Sequence, residues 1–407
     1  MVILGGGFGG TYTFKHLHKH FHKDKAVELK LVSDRNYFLF TPLLHEAATG
    51  GVLPHQVVEP LRKVLSCCLN DFYLARAKRV NTKRQTVYTS RGAIKYDFLV
   101  IALGSQPNFR RTRGAGQNAF TLKSLEDAQK LKRHFIRTFE EADKTKDKSA
   151  RRRLLSFVIV GGGPTGVEIA AEMSEFFRRT MRLRHVHADA VNIFLVQRQK
   201  ELLPQFSRFI REVSRANLDK LDVKVFLGAS VVSISGNKVK LDNGEQLESS
   251  TAIWVGGVKP VGLRFDRSLA MAKSGKIVVN KYLQVEGHRN IFALGDVASF
   301  VDGKSGEEAP ALAQVAVRQA PVVAENIKQL IKGGRLGQYQ YKNQGYLLSL
   351  GKWMGVGEIF GFSVKGWWVW WIYRTVYLSK LLSWQKRVYV ALDWTVNLFS
   401  PRDTSDV

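Results

Sequence analysis

Cysteine is almost missing: among 407 residues only Cys67 and Cys68 occur, side by side. Adjacent thiols without C-x-x-C spacing leave neither a disulfide framework nor a zinc site, and they read as idle or buried. A paired redox dithiol is excluded with them. Acids are scarce as well, 35 against 62 lysines and arginines, for a net charge of +27. Such a balance implies an anionic partner: lipid headgroups, nucleic acid or anionic substrates. Part of it sits in Lys144, Lys146, Lys148, Arg151, Arg152 and Arg153, and part in Arg178, Arg179, Arg182 and Arg184. No run of about 18 consecutive apolar residues exists, so no transmembrane span is expected. The first strand begins at once, which leaves no room for a signal peptide and suggests a cytoplasm-facing protein. The length predicts two or three domains with ample core.

Glycine, by contrast, is placed with purpose. Phe157-Val-Ile-Val160 leads into Gly161-Gly-Gly163-Pro-Thr-Gly166, and Val-Glu168-Ile-Ala-Ala-Glu-Met continues as a helix. Strand, glycine turn and helix are the setting that a dinucleotide fingerprint requires. The first glycine makes the turn, the second admits a pyrophosphate, and the third lets helix pack on strand. The same arrangement occurs earlier, in Val2-Ile-Leu4-Gly5-Gly-Gly7-Phe-Gly-Gly10. Two copies suggest two dinucleotides in one α/β chain.

In chain order, the first loop leads to a helix over 11–22 and a strand over 27–32 ending at Ser33-Asp34. An acid at that strand end binds ribose hydroxyls. An apolar stretch with Pro42 closes in a short helical piece at Thr49-Gly50. Short strands follow, then a buried strand ending at Gly104-Ser105. Residues 124–141 read as a helix with Ser124 and Asp127 as a capping box, and 143–153 as a linker or exposed helix end. The second unit has its own strand end at Gln197-Arg198. Residues 206–220 read as a helix and 223–248 as short strands. The strand from Thr251 returns to Gly257. Short strands are expected at 277–279 and 283–285, and another buried strand ends at Gly295-Asp296. A helix over 310–331 is expected to be interrupted by Pro321.

The tail differs in composition. Seven of the eight tryptophans fall between Trp353 and Trp394, and no acid occurs between 366 and 392. On one helix, Trp370, Tyr373, Tyr377, Leu378, Leu381, Leu382 and Trp384 share an arc, with Arg374 intruding. Thr375, Ser379, Lys380, Ser383, Lys386 and Arg387 lie opposite. This is the pattern of an interfacial membrane helix, with a core or dimer-interface helix as the other reading.

Together these motifs resemble the two-dinucleotide-domain flavoproteins, and more closely the type II NADH:quinone oxidoreductases, or alternative NADH dehydrogenases. Gly5–Gly10, Leu39–Leu44 with Ala48-Thr49-Gly50, Tyr96–Ser105, Gly161–Glu168, Ile253–Gly257 and Ala293–Asp296 carry the resemblance. So does Ala313-Gln314-Val-Ala-Val-Arg318-Gln-Ala320, set against the family's A-Q-x-A-x-Q-Q-G. Arg318 and Ala320 depart from that signature.

The resemblance implies two Rossmann-like domains and a C-terminal amphipathic membrane-binding region. The FAD domain would be 1–112 with 257–335, the NAD(P)H domain 113–256 and the anchor 336–407. Noncovalent FAD would lie at Gly5, Gly7, Gly10, Ser33, Asp34, Thr49, Gly104, Gly295, Asp296, Ala313 and Gln314, with Gly257 a further cofactor-binding residue. The nicotinamide nucleotide would lie at Gly161, Gly163, Gly166 and Gln197. A hydride would pass from NADH to FAD and two electrons to a membrane quinone, without proton pumping, with Glu168, Gln314 and Arg318 as catalytic candidates. No metal is implied. With Gln197 in place of an acid, NADPH use beside NADH is expected. The partner would be an anionic membrane surface at the cytoplasmic face, with a homodimer left open and no nucleic acid. Two alternatives also stay open: a soluble NAD(P)H:acceptor flavoenzyme, and a flavin-bound nucleic-acid-binding or scaffold protein.

Overall fold

Two parallel sheets organise the chain, and each belongs to its own compact unit. The computed structural model describes residues 1–65, 72–183, 191–266, 269–342 and 345–399; Cys67, Cys68, Arg184 and the Arg182 side chain lie outside this description. The first unit comprises 1–39, 58–106 and 258–343, and the second 40–57, 107–257 and 344–407.

In the first unit five parallel strands run in the order Ile291–Ala293, Leu99–Ile101, Val2–Leu4, Lys30–Ser33, Phe72–Leu74. Val2, Ile3, Leu4, Leu99, Val100 and Ile101 are all buried, as expected for a parallel sheet covered on both faces. The helix Phe8–Phe21 starts within the glycine loop, earlier than the expected residue 11, because Gly9 and Gly10 take part in its first turn. It packs against Ala313–Lys332. That helix is not interrupted at Pro321. Proline forfeits one ladder bond, but Val315, Ala316, Ala320, Val323, Ala324 and Ile327 bury one continuous face that holds the helix together. Residues 283–285 make isolated bridges rather than the expected strand.

In the second unit the order is Ala119–Thr121, Thr251–Trp254, Ser156–Val160, Asn192–Gln197, Val223–Leu227, again parallel. The helix Leu125–Lys144 opens on the expected capping box: the Ser124 hydroxyl accepts from the Asp127 N–H at 3.0 Å, and Asp127 accepts from the Ser124 N–H at 3.1 Å. The basic stretch after it is a separate short helix, Lys148–Leu154, capped by Asp147. A three-stranded antiparallel sheet, Gly345–Ser349, Gly355–Ile359 and Phe362–Gly366, leads into the helices Trp367–Ser379 and Trp384–Phe399.

Those last helices correct the expected arc. Trp370 and Tyr373 are each 1% exposed and Leu381 is buried, so these residues of the arc are core of the second unit, while Tyr377, Leu378 and Leu382 are half-buried. Helix Trp367–Ser379 packs on the antiparallel sheet, and Gly355 admits it, since a Cβ there would lie 2.6 Å from the Trp370 amide nitrogen. The intruding Arg374 is stacked between two indoles, 3.7 Å from the Trp370 ring centre and 4.7 Å from that of Trp394. A planar, weakly hydrated guanidinium suits such a place. Trp384 is the exposed member of the arc, and the other exposed aromatics of these two helices are Trp367, Trp368, Trp371, Tyr389 and Phe399.

Candidate functional site

In the first unit the glycine loop leaves the carboxyl end of the strand Val2–Leu4. Gly5 has φ +109°, and a Cβ on it would lie 2.3 Å from the Ala102 carbonyl oxygen. A Cβ on Gly10 would fall 1.8 Å from the Gly5 carbonyl oxygen, whereas Gly7 has open space on that side. Two positions that forbid a side chain flank one that leaves room for a phosphate. Ser33 is buried beneath the loop and accepts from the Arg35 N–H at 3.2 Å; Asp34 next to it is exposed. Gly295 has φ +70°, and Asp296 accepts from the Ser105 hydroxyl at 2.6 Å. The Gly295 N–H donates to Gln319 at 2.8 Å. Gln319 is thus a site-building residue that the sequence reading quoted without assigning, and Ser105, just after Gly104, is another. The signal was present in both cases: a Gln nearly two turns past the start of a glycine-facing helix, and a Ser at a strand-to-glycine ending. Ala313 opens its helix beside the partly exposed Gln314. Arg318 donates to the Lys342 carbonyl at 2.6 Å. The cradle, with its glycine-lined strand end, helix N-terminus and carboxylate, fits a dinucleotide such as FAD.

The second unit repeats the cradle. Gly161 has φ +119° and lies against Gly256, where a Cβ would come within 2.6 Å of the Gly256 Cα. A Cβ on Gly166 would lie 1.8 Å from the Gly161 carbonyl oxygen, and Gly163 is open. Gln197 sits under this loop as Ser33 does under the first. Its carboxamide is fully engaged: the oxygen accepts from the Gly162 N–H at 3.0 Å, and the nitrogen donates to Gln199 at 3.1 Å and to the Glu201 carbonyl at 3.3 Å. Gly257, φ +129°, ends the next strand and accepts from the Asn108 N–H at 3.1 Å.

Glu168 lies in a buried polar cluster of the same unit. It is 8% exposed and accepts from the Ser349 N–H at 3.4 Å. Burial pushes its carboxyl up to about 7; the neighbouring His45 and the Ser349 amide pull it down, while Glu46 and Glu172 push it further up. Glu46 accepts from the Trp394 indole N–H at 2.6 Å, and Thr49 donates to the His45 and Glu46 carbonyls. The His45 Nε2 and the Tyr373 hydroxyl are buried without a hydrogen-bond partner among the described residues. Burial drives the Tyr373 phenol well above its usual range. His45 carries no signal in the sequence and Tyr373 only that of the tail arc, because only the fold brings 44–48 and 367–379 to Glu168. A buried carboxylic acid that holds its proton near neutral pH can deliver or accept one. Among the described residues no cluster could hold a metal ion.

Residues 1–320 match the pyridine nucleotide-disulphide oxidoreductase family, and 343–403 match the NDH2 C-terminal domain. The chain is 30% identical to the type II NADH:quinone oxidoreductase of Staphylococcus haemolyticus over 369 residues, 90% of this chain and 91% of that protein. It is 28% identical to the type II NADH:quinone oxidoreductase of Mycobacterium tuberculosis, covering 99% and 88%. Its fold matches the Plasmodium falciparum NDH2 solved with NADH at a TM-score of 0.91, with 20% identity and 99% of each chain covered. The sulfide:quinone oxidoreductase of Aquifex aeolicus is similar at a TM-score of 0.75 and 19% identity, covering 98% and 94%.

Proposed function

We infer the reaction from membership: the chain belongs to the type II NADH:quinone oxidoreductases, within the pyridine nucleotide-disulphide oxidoreductase family. It is a flavoprotein that oxidises NADH and reduces a membrane quinone, without proton pumping. FAD supplies the chemistry when bound, taking a hydride from NADH and returning two electrons to quinone. The duplicated glycine cradle is the observation that carries this reading. We assign FAD to residues 1–112 with 257–335, the nicotinamide nucleotide to 113–256 and the membrane contact to 336–407. Gly5, Gly7 and Gly10 would admit the FAD pyrophosphate. Ser105 orients the Asp296 carboxylate, which would accept from the cofactor's hydroxyls, and Gln319 fixes Gly295 beside it. Ala313 and Gln314 would present a helix N-terminus to the flavin. Hydride transfer needs alignment rather than an acid or base, whereas quinone also needs two protons. Glu168, which holds a proton near neutrality, would supply one. The experiment that tests the assignment is anaerobic NADH reduction of the purified protein, followed by quinone.

Nucleotide choice would be set at Gln197. An acid at this strand end binds the ribose 2′-hydroxyl and repels the 2′-phosphate of NADPH. Gln197 carries no charge, and its carboxamide is held by Gly162, Gln199 and Glu201. Arg198 beside it is exposed and can pair with phosphate. NADPH should therefore be used measurably beside NADH. Gln197→Glu should lower kcat/KM for NADPH about tenfold or more relative to NADH, since about 1.4 kcal/mol of discrimination is tenfold. Equal ratios in wild type and variant would show that selection lies elsewhere.

Membrane association is a property of the family, and no helix among the described residues is long and apolar enough to cross a bilayer. We propose that the exposed aromatics Trp367, Trp371, Trp384 and Phe399 enter the interface of an anionic leaflet. The net charge suits the cytoplasmic leaflet, whose surface potential is negative. Each aromatic contributes about 1.5–3 kcal/mol if fully buried. Replacing all four with serine should weaken flotation with anionic liposomes by at least about 100-fold. NADH:ferricyanide activity should persist. Unchanged flotation would overturn the surface.

A further inference from the structure

The strand order of the second unit locates the two halves of its dinucleotide. Asn192–Gln197 and Val223–Leu227 lie on one side of Ser156–Val160, and Thr251–Trp254 with Ala119–Thr121 on the other. The order in which strands are added reverses between the parallel neighbours Ser156–Val160 and Thr251–Trp254, and ligands of open α/β sheets lie in the crevice at that switch point. Gln197 marks the adenosine side, so the nicotinamide side falls at Val255–Gly257.

A short strap crosses that end. The Asn108 N–H donates to the Gly257 carbonyl at 3.1 Å, and the Trp254 indole donates to the Asn108 carbonyl at 3.1 Å. Arg110 follows, its Nε donating to the Gly256 carbonyl at 3.2 Å and its Nη2 lying 3.1 Å from where a Gly257 Cβ would be. Gly256 in turn touches Gly161, the first residue of the phosphate loop. Arg110 and Arg111 are both left-handed, at φ +47° and +64°. This conformation costs roughly 1–2 kcal/mol per non-glycine residue. Neither arginine can offset it as Asn would, with a short local bond. Strain of this kind persists where surrounding structure holds it, often at ligand clamps. Arg110 remains exposed, with a guanidinium whose single bond among those described is the one at Nε.

We propose that Arg110 is a substrate-binding residue whose Nη donors pair with the nicotinamide-side phosphate of the dinucleotide. The proposal rests on the reading of residues 161–166 as the nicotinamide nucleotide cradle. The strap fixes the fork on the carbonyl of Gly256, the residue against which Gly161 of the phosphate loop packs. The helix Pro164–Leu183 would offer its N-terminus to the pyrophosphate, and a cation at the Val255–Gly257 end would pair with the phosphate on the nicotinamide side.

The test is Arg110→Gln in the holoenzyme, with Arg110→Lys beside it. The Kd of ADP-ribose, which carries both phosphates, is measured by calorimetry and compared with that of AMP, which lacks the nicotinamide-side phosphate. Arg110→Gln should raise the Kd of ADP-ribose and the KM of NADH by about tenfold or more. The Kd of AMP, the FAD content and kcat should stay unchanged, and Arg110→Lys should recover part of the loss. Unchanged ADP-ribose affinity in Arg110→Gln overturns the proposal. So does equal weakening of ADP-ribose and AMP, which marks a general field or a loosened loop, and so does loss of FAD, which marks a structural strap. If wild type binds no ADP-ribose, the cradle assignment itself fails, an outcome distinct from these.

Discussion

Gly10→Ala should yield a colourless protein, while Gly166→Ala should keep its flavin and lose NADH. The reason is geometric and the same in both loops. The new Cβ would lie 1.8 Å from a carbonyl oxygen, of Gly5 in one case and of Gly161 in the other. Backbone cannot swing aside as a flexible side chain can, so the strand-to-helix turn must open. Opening it withdraws amides from the phosphates, and each charge-assisted bond lost costs roughly 1.5–3 kcal/mol. Loss of two such bonds is at least about 100-fold in affinity. Gly262→Ala is the control, because a Cβ there meets nothing within 4 Å and its φ is ordinary. Flavin per chain after gel filtration and the KM for NADH are the measurements. If Gly10→Ala remained yellow and Gly166→Ala became colourless, the two cradles would have been assigned the wrong way round.

Glu168→Gln should lower the quinone turnover number on the order of 100-fold, the lower end for loss of a general acid. It should leave ferricyanide reduction intact, because that acceptor takes electrons without protons. The sign of the pH dependence follows from burial. The carboxyl is raised from 4.5 to about 7, so it is protonated below neutrality and ionised above it. As a proton donor it should make wild-type quinone turnover fall as pH rises through about 7. Glutamine has no proton to titrate, so that limb should vanish in the variant. The groups facing it, His45, Glu46, Glu172 and the Ser349 amide, are retained. Equal loss with quinone and ferricyanide would place the residue in NADH handling instead. An unchanged pH limb would remove it from the proton route.

Much of this was legible because it depends on local pattern. Strand-glycine-helix signatures at 2–10 and 157–168 are set by backbone conformation that only glycine adopts freely, so sequence reports them directly. The capping box at Ser124 is equally local. What escaped depends on distant parts of the chain. The arc of Trp370 and Tyr373 has the composition of a membrane face, but periodicity cannot tell a bilayer from a small antiparallel sheet. The sheet at 345–366 covers that arc and leaves Trp367, Trp371 and Trp384 outside. Deleting the chain from Gly366 would therefore strip core from the second unit, and substitution of exposed residues is the cleaner test. Pro321 misled for a related reason: one lost ladder bond is outweighed by a buried face along Ala313–Lys332. Gln197 was located correctly in sequence at the strand end, but its three hydrogen bonds appear only once the loop closes over it. The role proposed for Arg110 gave no sequence signal, since it rests on a bond from its side-chain Nε to the Gly256 carbonyl.

The central claim is that one chain carries electrons from NADH to quinone through a flavin held without a covalent bond. Its most direct test is an anaerobic titration of the purified protein, with acid release of the flavin as the companion assay. NADH should bleach the visible flavin absorbance at one equivalent per chain, a soluble quinone should restore it, and acid should free the yellow cofactor into the supernatant. A protein with no flavin absorbance, or one whose absorbance bleaches with NADH but does not recover with quinone, would contradict the claim.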